Sequence, residues 1–245
     1  MNQTIRIFKT VEKLLAAMAD YFVTIAQSSI ALRGEFNVAL SGGSSPKKLY
    51  ELLASPPFKQ QIYWDKINFF FGDERYVPAN DPENNALMVK TALFDPLNIS
   101  ASKIFPVNTF LSPDESAKEY SETIARHFKD QKVSFDLILL GLGDNSHTAS
   151  LFPYTSVLND KSASIKAVFL EQQNVYRITM TAPMINQAGH IAFLVYGQAK
   201  ALAVVHVLED GSDPDKYPAQ MIRPEEGELH WYLDEAAAAD LKRKV

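Results

Sequence analysis

The fold is decided by one short stretch of sequence, Asp136-Leu137-Ile138-Leu139-Leu140, which is followed at once by Gly141-Leu142-Gly143. Four successive apolar residues are typical of a strand that is buried on both faces, as in the middle of a parallel sheet. The glycines predict a loop at the carboxyl end of that strand. Further strands are predicted at Ile5–Phe8, Phe36–Leu40, Ile67–Phe71, Val175–Met180 and Ile191–Tyr196.

Helical patterns alternate with these strands. Thr10 is the predicted N-cap of a long amphipathic helix, and Ser45-Pro46 is a favourable helix start because serine caps and proline suits the first turn. The other helices are predicted near Asn84–Phe94, Asp114–Phe128, Gln198–Leu208 and Asp234–Lys244. This alternation predicts an α/β fold, with a mostly parallel sheet and helices on both faces. Without internal repeats or linkers, residues 1–245 are interpreted as a single domain.

The amino-acid composition and net charge exclude several classes of protein. The chain has 245 residues, 47% of them hydrophobic, and a formal net charge of −5, so it offers no broad basic surface for nucleic acid. It has no cysteine, which excludes disulfides, thiolate metal sites and cysteine nucleophiles. The N-terminus lacks the apolar core of a signal peptide, and uninterrupted apolar runs such as Leu137–Leu140 are short. We therefore expect a cytoplasmic protein with no membrane contact and no obligate protein partner.

The first candidate loop is Ser41–Pro46, between a predicted strand and a predicted helix. Ligands of parallel α/β sheets bind beyond the carboxyl ends of the strands, so this position is favourable. Gly42 and Gly43 permit close backbone approach, and Ser44 and Ser45 offer hydroxyl donors beside a helix N-terminus. The segment predicts a phosphate-binding loop, with a tight turn and helix cap as the alternative. It lacks the Gly-Lys-Ser/Thr ending of a P-loop.

The second candidate loop, Gly72-Asp73-Glu74-Arg75-Tyr76-Val77-Pro78, follows the strand that ends at Phe71. Three charged residues directly after an apolar strand must be exposed or paired. Arg75 is suited to binding an anion or polarising a carbonyl group. A surface turn with an internal ion pair is the alternative interpretation.

The third candidate loop runs from Gly141 to Ser150 and contains His147. A histidine at the end of a central strand, where a polar loop is expected to enter a helix, is placed to take a proton from water near neutral pH. The alternative is a helix-start residue that only bonds backbone. The loop resembles a dinucleotide fingerprint, but Ser146 replaces the third glycine, so a dinucleotide-dependent oxidoreductase is disfavoured.

Two basic residues elsewhere are candidates to reach a phosphate. Arg177 lies in an otherwise apolar strand and Lys200 in the first turn of a helix, although either position also suits a solvated charge. The four other histidines, His127, His190, His206 and His230, show no i, i+4 pairing, so no metal site is predicted.

Taken in order, these segments resemble the 6-phosphogluconolactonases, which share a modified Rossmann-like fold with the glucosamine-6-phosphate isomerases/deaminases. The most specific element is the run from His147 to Pro153. The resemblance covers nearly the whole chain. Its other elements are Ser41–Ser44, Gly72–Pro78, Arg177-Ile178-Thr179, Gly197–Ala201 and Trp231-Tyr232-Leu233-Asp234.

The resemblance implies hydrolysis of 6-phospho-D-glucono-1,5-lactone to 6-phospho-D-gluconate, in the oxidative pentose phosphate pathway, without a cofactor or metal. The general base would be His147, and Arg75 would orient the lactone or stabilise the oxyanion. The implied phosphate ligands are Gly42, Gly43, Ser44, Ser45, Arg177 and Lys200.

One position departs from the family pattern. The family usually has Asp-Gly before the histidine, where this chain has Asn145-Ser146. Asn145 can orient the imidazole but supplies no charge, and Asp144 is the candidate to replace it. The isomerase/deaminase uses the aspartate for proton transfer at carbon, so the change disfavours that enzyme, which stays the first alternative. A non-catalytic sugar-phosphate-binding protein is the second.

Overall fold

The computed structural model describes residues 2–129, 134–224 and 226–242. Within these residues the strands are β1 (Asn2–Phe8), β2 (Phe36–Leu40), β3 (Ile67–Phe71), β4 (Asp73–Arg75), β5 (Leu137–Leu140), β6 (Ile165–Leu170), β7 (Val175–Met180), β8 (His190–Val195) and β9 (Glu228–Asp234). The helices are α1 (Val11–Arg33), α2 (Ser44–Leu53), α3 (Asn85–Val89), α4 (Asp95–Leu97), α5 (Pro113–His127), α6 (Ala182–Ile185) and α7 (Ala201–Leu208). A π-helical turn, Lys90–Phe94, joins α3 to α4.

Six strands form a wholly parallel sheet in the order β1-β9-β8-β5-β2-β3. The strand predicted from the apolar run is central, since β5 pairs with β2 on one side and β8 on the other. Ile138 lies between Ala39 and Ile191 in register. The fold prediction is confirmed at its starting point, and all six strands direct their carboxyl ends to one edge.

Side chains of the central sheet divide the core into two layers. On β5, Leu137 and Leu139 enter one cluster, whereas Ile138 and Leu140 enter the other, because successive strand residues point to opposite faces. The first cluster contains the buried faces of α1 and α2, and the second contains those of α5 and α7. Helices therefore cover both faces of the sheet, as predicted.

A second, three-stranded sheet in the order β4-β7-β6 is antiparallel and was not expected. The strand prediction for Val175–Met180 is confirmed, but this strand pairs with β4 and β6 and not with the parallel sheet. β4 begins two residues after β3 ends, so the chain passes from one sheet to the other through Gly72. This passage places Arg75 beside the carboxyl edge of the large sheet.

Three local predictions are wrong. The last helix, predicted at Asp234–Lys244, is absent from the described part of that segment: Asp234 ends β9, residues 235–240 form turns, and residues 243 and 244 lie outside the described residues. β9 itself was missed, although Trp231 and Leu233 enter one core layer and Tyr232 the other, the alternation of a strand.

The helix expected after His147 is also absent, because Thr148 and Leu151 form a bridge within a turn. The helix start at Ser45-Pro46 is displaced. Helix α2 begins at Ser44, its N-cap is Gly43, and no side chain caps it.

The helix α1 is long and apolar enough to meet the length and composition criteria of a membrane span. A search for uninterrupted apolar runs misses it, because polar residues interrupt its apolar ones. In this fold it is a core helix, because Leu14, Met18 and Phe22 are fully buried in the cluster shared with the sheet. Thr10 caps it as predicted, accepting the Lys13 backbone N–H through its side chain.

Candidate active site

A cavity of about 370 Å³ opens at the carboxyl edge of the parallel sheet, where the loops after β2, β5 and β8 meet strands β4 and β7. Nine of the ten site residues named from the sequence line it: Gly42, Gly43, Ser44, Ser45, Arg75, Asp144, His147, Arg177 and Lys200. The tenth, Asn145, is not among the lining residues but hydrogen-bonds His147. The fold thus gathers the predicted residues from five separate segments.

The loop from Ser41 to Ser45 lines this cavity. Gly43 has φ 104°, a left-handed conformation that favours glycine, and from there the chain enters α2. Ser44 and Ser45 occupy the first turn of α2, where N–H groups lack intrahelical partners and the helix dipole favours an anion. The absent side-chain cap leaves these donors for a ligand.

Two residues that the sequence did not single out hold this loop in place. The buried Tyr50 hydroxyl accepts the Ser41 N–H at 3.0 Å and donates to the Ser41 carbonyl at 2.8 Å. The side chain of Asn85 packs so closely on Gly42 that a Cβ there would lie 1.8 Å from Asn85 Oδ1. A larger residue at Gly42 would displace Asn85, so this glycine is required by close approach.

Arg75 and Arg177 are direct partners across the antiparallel pair β4–β7. Like charges placed opposite each other on one face destabilise a sheet. Arg75 is partly neutralised by Glu83, whose carbonyl accepts from Nη1 at 3.0 Å and whose carboxylate lies 3.7 Å away. Burial, and then the neighbouring charge of Arg75, lowers the pKa of Arg177. This arrangement favours an anion between the two guanidinium groups.

Beneath the arginines lies a buried acid, Asp73, whose Oδ2 accepts from Ser150 Oγ at 2.6 Å. The Ser150 N–H in turn donates to Thr179 Oγ1 at 3.1 Å. Burial raises the pKa of Asp73, and the hydrogen bond from Ser150 opposes that effect. These contacts fasten the loop that follows His147 to the small sheet. Asp73 and Ser150 lie within the quoted motifs, but only the structure shows that they meet.

Glu74 organises the next segment from within the core. Its carboxylate accepts the backbone N–H groups of Arg75, Asn85 and Ala86 at 2.6 to 2.9 Å. Burial raises the pKa of Glu74 to about 7, against the effect of these hydrogen bonds. No local sequence pattern indicates this link between β4 and the start of α3, which sets the position of Asn85.

Asn145 determines which nitrogen of His147 carries the proton. Asn145 Oδ1 lies 3.3 Å from the His147 backbone nitrogen and 2.5 Å from its ring Nδ1. The backbone N–H can only donate, so the amide oxygen faces His147, and that oxygen requires a proton on Nδ1. Nε2 is therefore left unprotonated in the neutral ring. This is the tautomer that can accept a proton at Nε2.

The imidazole is held between Phe152 and Gly143. The Phe152 ring stacks on it with centroids 3.9 Å apart, and a Cβ at Gly143 would lie 2.1 Å from Nδ1. Burial, and then the positive charge of Lys200, lowers the pKa of His147 to about 4, while Asp144 opposes this. The ring is accordingly neutral at pH 7, in the protonation state that a general base needs.

Lys200 lies in the short 3₁₀ turn Gln198–Lys200 that follows β8 and precedes α7. Its Nζ donates to Asp144 Oδ1 at 2.8 Å, and this hydrogen bond lowers the pKa of Asp144. The lysine side chain is 27% exposed and the aspartate 84% exposed, so the aspartate can move away into solvent. The structure thus pairs Asp144 with Lys200, and the direct partner of His147 is Asn145.

The fold and this cleft define a class: an α/β protein with a cationic, histidine-bearing cavity at the carboxyl edge of a parallel sheet. The model of one family, described as glucosamine-6-phosphate isomerases/6-phosphogluconolactonase, matches residues 9–231. The chain belongs to this family.

Individual relatives agree with the family match. The chain is 39% identical to a 6-phosphogluconolactonase of Nostoc sp., over 98% of this chain and 99% of the relative. It is 41% identical to a 6-phosphogluconolactonase of Synechocystis sp., over 87% and 88% of the two chains. Its fold matches the structure of 6-phosphogluconolactonase from Trypanosoma cruzi with a TM-score of 0.88 and 28% identity, over 99% of each chain.

Proposed function

We propose that this protein hydrolyses 6-phospho-D-glucono-1,5-lactone to 6-phospho-D-gluconate, the lactonase step of the oxidative pentose phosphate pathway. The observation that carries the proposal is the hydrogen bond from His147 Nδ1 to Asn145, which leaves a neutral imidazole with Nε2 free as a base. The relatives named above support the same activity. An amide at position 145 supplies no carboxylate for proton transfer at carbon, which disfavours the amino-sugar reaction.

The phosphate of the substrate binds in this proposal at the first turn of α2. The backbone N–H groups of Ser44 and Ser45 and the ammonium group of Lys200 are its donors, once Lys200 exchanges Asp144 for the phosphate. Arg177 contributes a second positive charge. A phosphate is remote from the reacting carbon, so its binding energy serves to position the lactone.

The reaction itself needs a base, a water molecule and stabilisation of an oxyanion. Nε2 of His147 takes a proton from water as the water oxygen bonds to the lactone carbonyl carbon. The carbonyl π electrons move to oxygen, and Arg75 stabilises the oxyanion that forms. When the oxyanion collapses, the bond from this carbon to the ring oxygen breaks, and His147 returns the proton to that ring oxygen. The carboxylic acid product then loses a proton to solvent.

The proposal also covers the ligand, the cellular compartment and the domain organisation of the enzyme. Its ligand is a small phosphorylated sugar lactone, its compartment the cytoplasm, and residues 1–245 act as one domain. Hydrolysis consumes only water, so neither a redox cofactor nor a covalent nucleophile enters the proposed reaction. General-base catalysis contributes about 10²–10⁴-fold to such reactions.

The test is an acid-release assay on freshly generated lactone, with the spontaneous rate subtracted. The expected result is acceleration by micromolar protein, strongly reduced in His147→Ala and retained in His206→Ala. His206 is the matched control because it lies on α7, where its ring hydrogen-bonds Asp210, and is not among the residues that line the cavity. No acceleration would exclude a lactonase. Ammonia release from glucosamine-6-phosphate would assign the amino-sugar reaction, and phosphate-induced thermal protection without turnover would assign a binding protein.

A further inference from the structure

Three metal-ligating side chains meet at the edge of the parallel sheet opposite the cavity. His190 and Glu228 are the first residues of β8 and β9 and are partners in register. His230, two residues after Glu228, points to the same face, since the side chains of a strand alternate. β8 is six residues long, so the cluster lies about 20 Å from the carboxyl edge.

The separations between donor atoms suit a small metal ion. Glu228 Oε2 lies 2.9 Å from His230 Nε2 and 3.6 Å from His190 Nδ1. The three ligand atoms all lie within 4.8 Å of one another. Tetrahedral zinc, with bonds of about 2.0–2.1 Å to nitrogen and oxygen, spaces its donors about 3.3–3.4 Å apart. Two of the three separations already bracket this value, and the third closes by a small rotation of side chains.

The hydrogen bonds around the cluster indicate which ring nitrogens carry protons in the free protein. The Tyr21 hydroxyl, on α1, lies 3.0 Å from His190 Nδ1. When it donates there, His190 Nδ1 is the unprotonated nitrogen. His230 Nδ1 is buried and has no hydrogen-bond partner among the described residues. In the free protein the ring proton lies on Nε2, shared with Glu228; on binding it shifts to Nδ1, and Nε2 becomes a ligand.

The three side chains are also buried to the extent expected of a metal site that keeps one coordination position open to solvent. The side chain of His230 is 7% exposed, whereas those of His190 and Glu228 are 29% and 43% exposed. The ion would enter from the Glu228 side and retain a water molecule or the Tyr21 hydroxyl as its fourth ligand. Spacing along a helix does not reveal this site, because its members lie on two adjacent strands.

We propose that His190, Glu228 and His230 bind one divalent ion of the zinc class. Two imidazoles and one carboxylate favour zinc, cobalt or nickel over magnesium and calcium, which prefer oxygen ligands. The ion cross-links β8 and β9 where both strands begin, under the ring of Tyr21. It takes no part in the reaction at the other edge, so the inference does not depend on the proposed function.

The test uses untagged, chelator-treated protein of full length. Equilibrium dialysis against micromolar zinc is expected to give one ion per chain, and zinc to raise the melting temperature whereas magnesium does not. Cobalt in place of zinc is expected to give the visible absorption bands of a low-symmetry site. Glu228→Gln and the half-exposed His190→Gln should each lower zinc affinity at least tenfold and abolish the cobalt bands.

Two controls locate the ion. His206→Gln removes the surface His206–Asp210 pair, and His147→Gln removes the cavity histidine; both variants are expected to retain zinc and the cobalt bands. Binding below one ion per five chains overturns the proposal. Zinc that is lost in either control variant but kept in His190→Gln and Glu228→Gln also overturns it, since the ion then binds elsewhere.

Discussion

Arg75 and Arg177 face each other as direct partners on neighbouring antiparallel strands, both lining the cavity at the carboxyl edge of the parallel sheet. Charge repulsion between the two side chains lowers the stability of the fold in the absence of a ligand, on the scale of the about 0.2–1 kcal/mol that favourable cross-strand pairs contribute. A bound anion offsets that repulsion, because it attracts both guanidinium groups. The pair is thus a structural indicator of an anion site, independent of any relative.

The first prediction concerns this pair. Arg177→Ala should leave the unliganded protein equally stable or more stable by about 0.5 kcal/mol, because it removes the repulsion. The same substitution should abolish most of the thermal protection given by phosphate. Melting temperatures with and without phosphate measure both effects. Arg126→Ala, an exposed position on α5, serves as the control and should keep the protection. Full protection in Arg177→Ala would contradict the assignment.

The second prediction concerns Asn145 and the pH dependence of the reaction. In the protein as it stands, the lowered pKa of His147, about 4, places the acid limb of kcat/KM near pH 4, and activity is flat above it. Asn145→Asp puts a negative charge beside Nδ1, which favours the imidazolium and raises the pKa of His147. The acid limb should then move up by about one pH unit or more.

The control for this variant is Asp210→Asn, which alters the charge beside a different histidine, His206. It should leave the pH profile unchanged. The informative measurement is kcat/KM from pH 3.5 to 8. An acid limb that stays in place in Asn145→Asp would show that His147 is not the titrating base.

The third prediction concerns Ser146, which combines φ 64° with a fully buried side chain whose hydroxyl has no hydrogen-bond partner among the described residues. A left-handed conformation costs a non-glycine residue about 1–2 kcal/mol, and glycine loses about 0.5–1 kcal/mol more entropy on folding. Ser146→Gly should therefore stabilise the fold by about 1 kcal/mol. Urea unfolding, with an unchanged m-value, measures the gain.

Ser146→Ala separates the two contributions, because it removes the unpaired hydroxyl but keeps the β-carbon at positive φ. It should gain less than Ser146→Gly if backbone strain dominates. A loss of stability in both variants would mean that the hydroxyl has a hydrogen-bonded role, for example to an ordered water.

The fourth prediction concerns the exchange of partners at Lys200. Lys200→Ala should raise KM for the phosphorylated lactone about tenfold or more with a smaller change in kcat, since a charge-assisted hydrogen bond contributes about 1.5–3 kcal/mol. Asp144→Asn should lower KM, because it removes the carboxylate that competes with phosphate for the lysine. Lys90→Ala, at an exposed ion pair with Asp95, is the control. An unchanged KM in Lys200→Ala would remove that residue from the phosphate site.

Hydrophobic periodicity and the residues typical of turns were by themselves enough to predict the parallel sheet and the loops that form the cavity. The apolar run Leu137–Leu140 is buried on both faces, as is typical of a central parallel strand, and this strand predicted the sheet and its carboxyl edge. The three polar loops after the strands then had to meet at that edge. The resemblance of the motif from His147 to Pro153 supplied the expected chemistry.

Other features of the site and the fold were decided only by the tertiary structure, because they depend on contacts between residues distant in sequence. The register of β4 against β7 set Arg75 opposite Arg177, and the ion pair of Lys200 with Asp144 joins residues 56 positions apart. No local sequence pattern indicates that Glu74 and Asp73 are buried. Nor does one indicate that Glu74 accepts a hydrogen bond from Asn85 and Asp73 one from Ser150. The failed helix at Asp234–Lys244 has the same cause. Alanine propensity is a local and weak preference, and the chain after β9 instead follows tertiary contacts: the Glu235 N–H donates to the Phe8 carbonyl, and Ala237 is buried in the core.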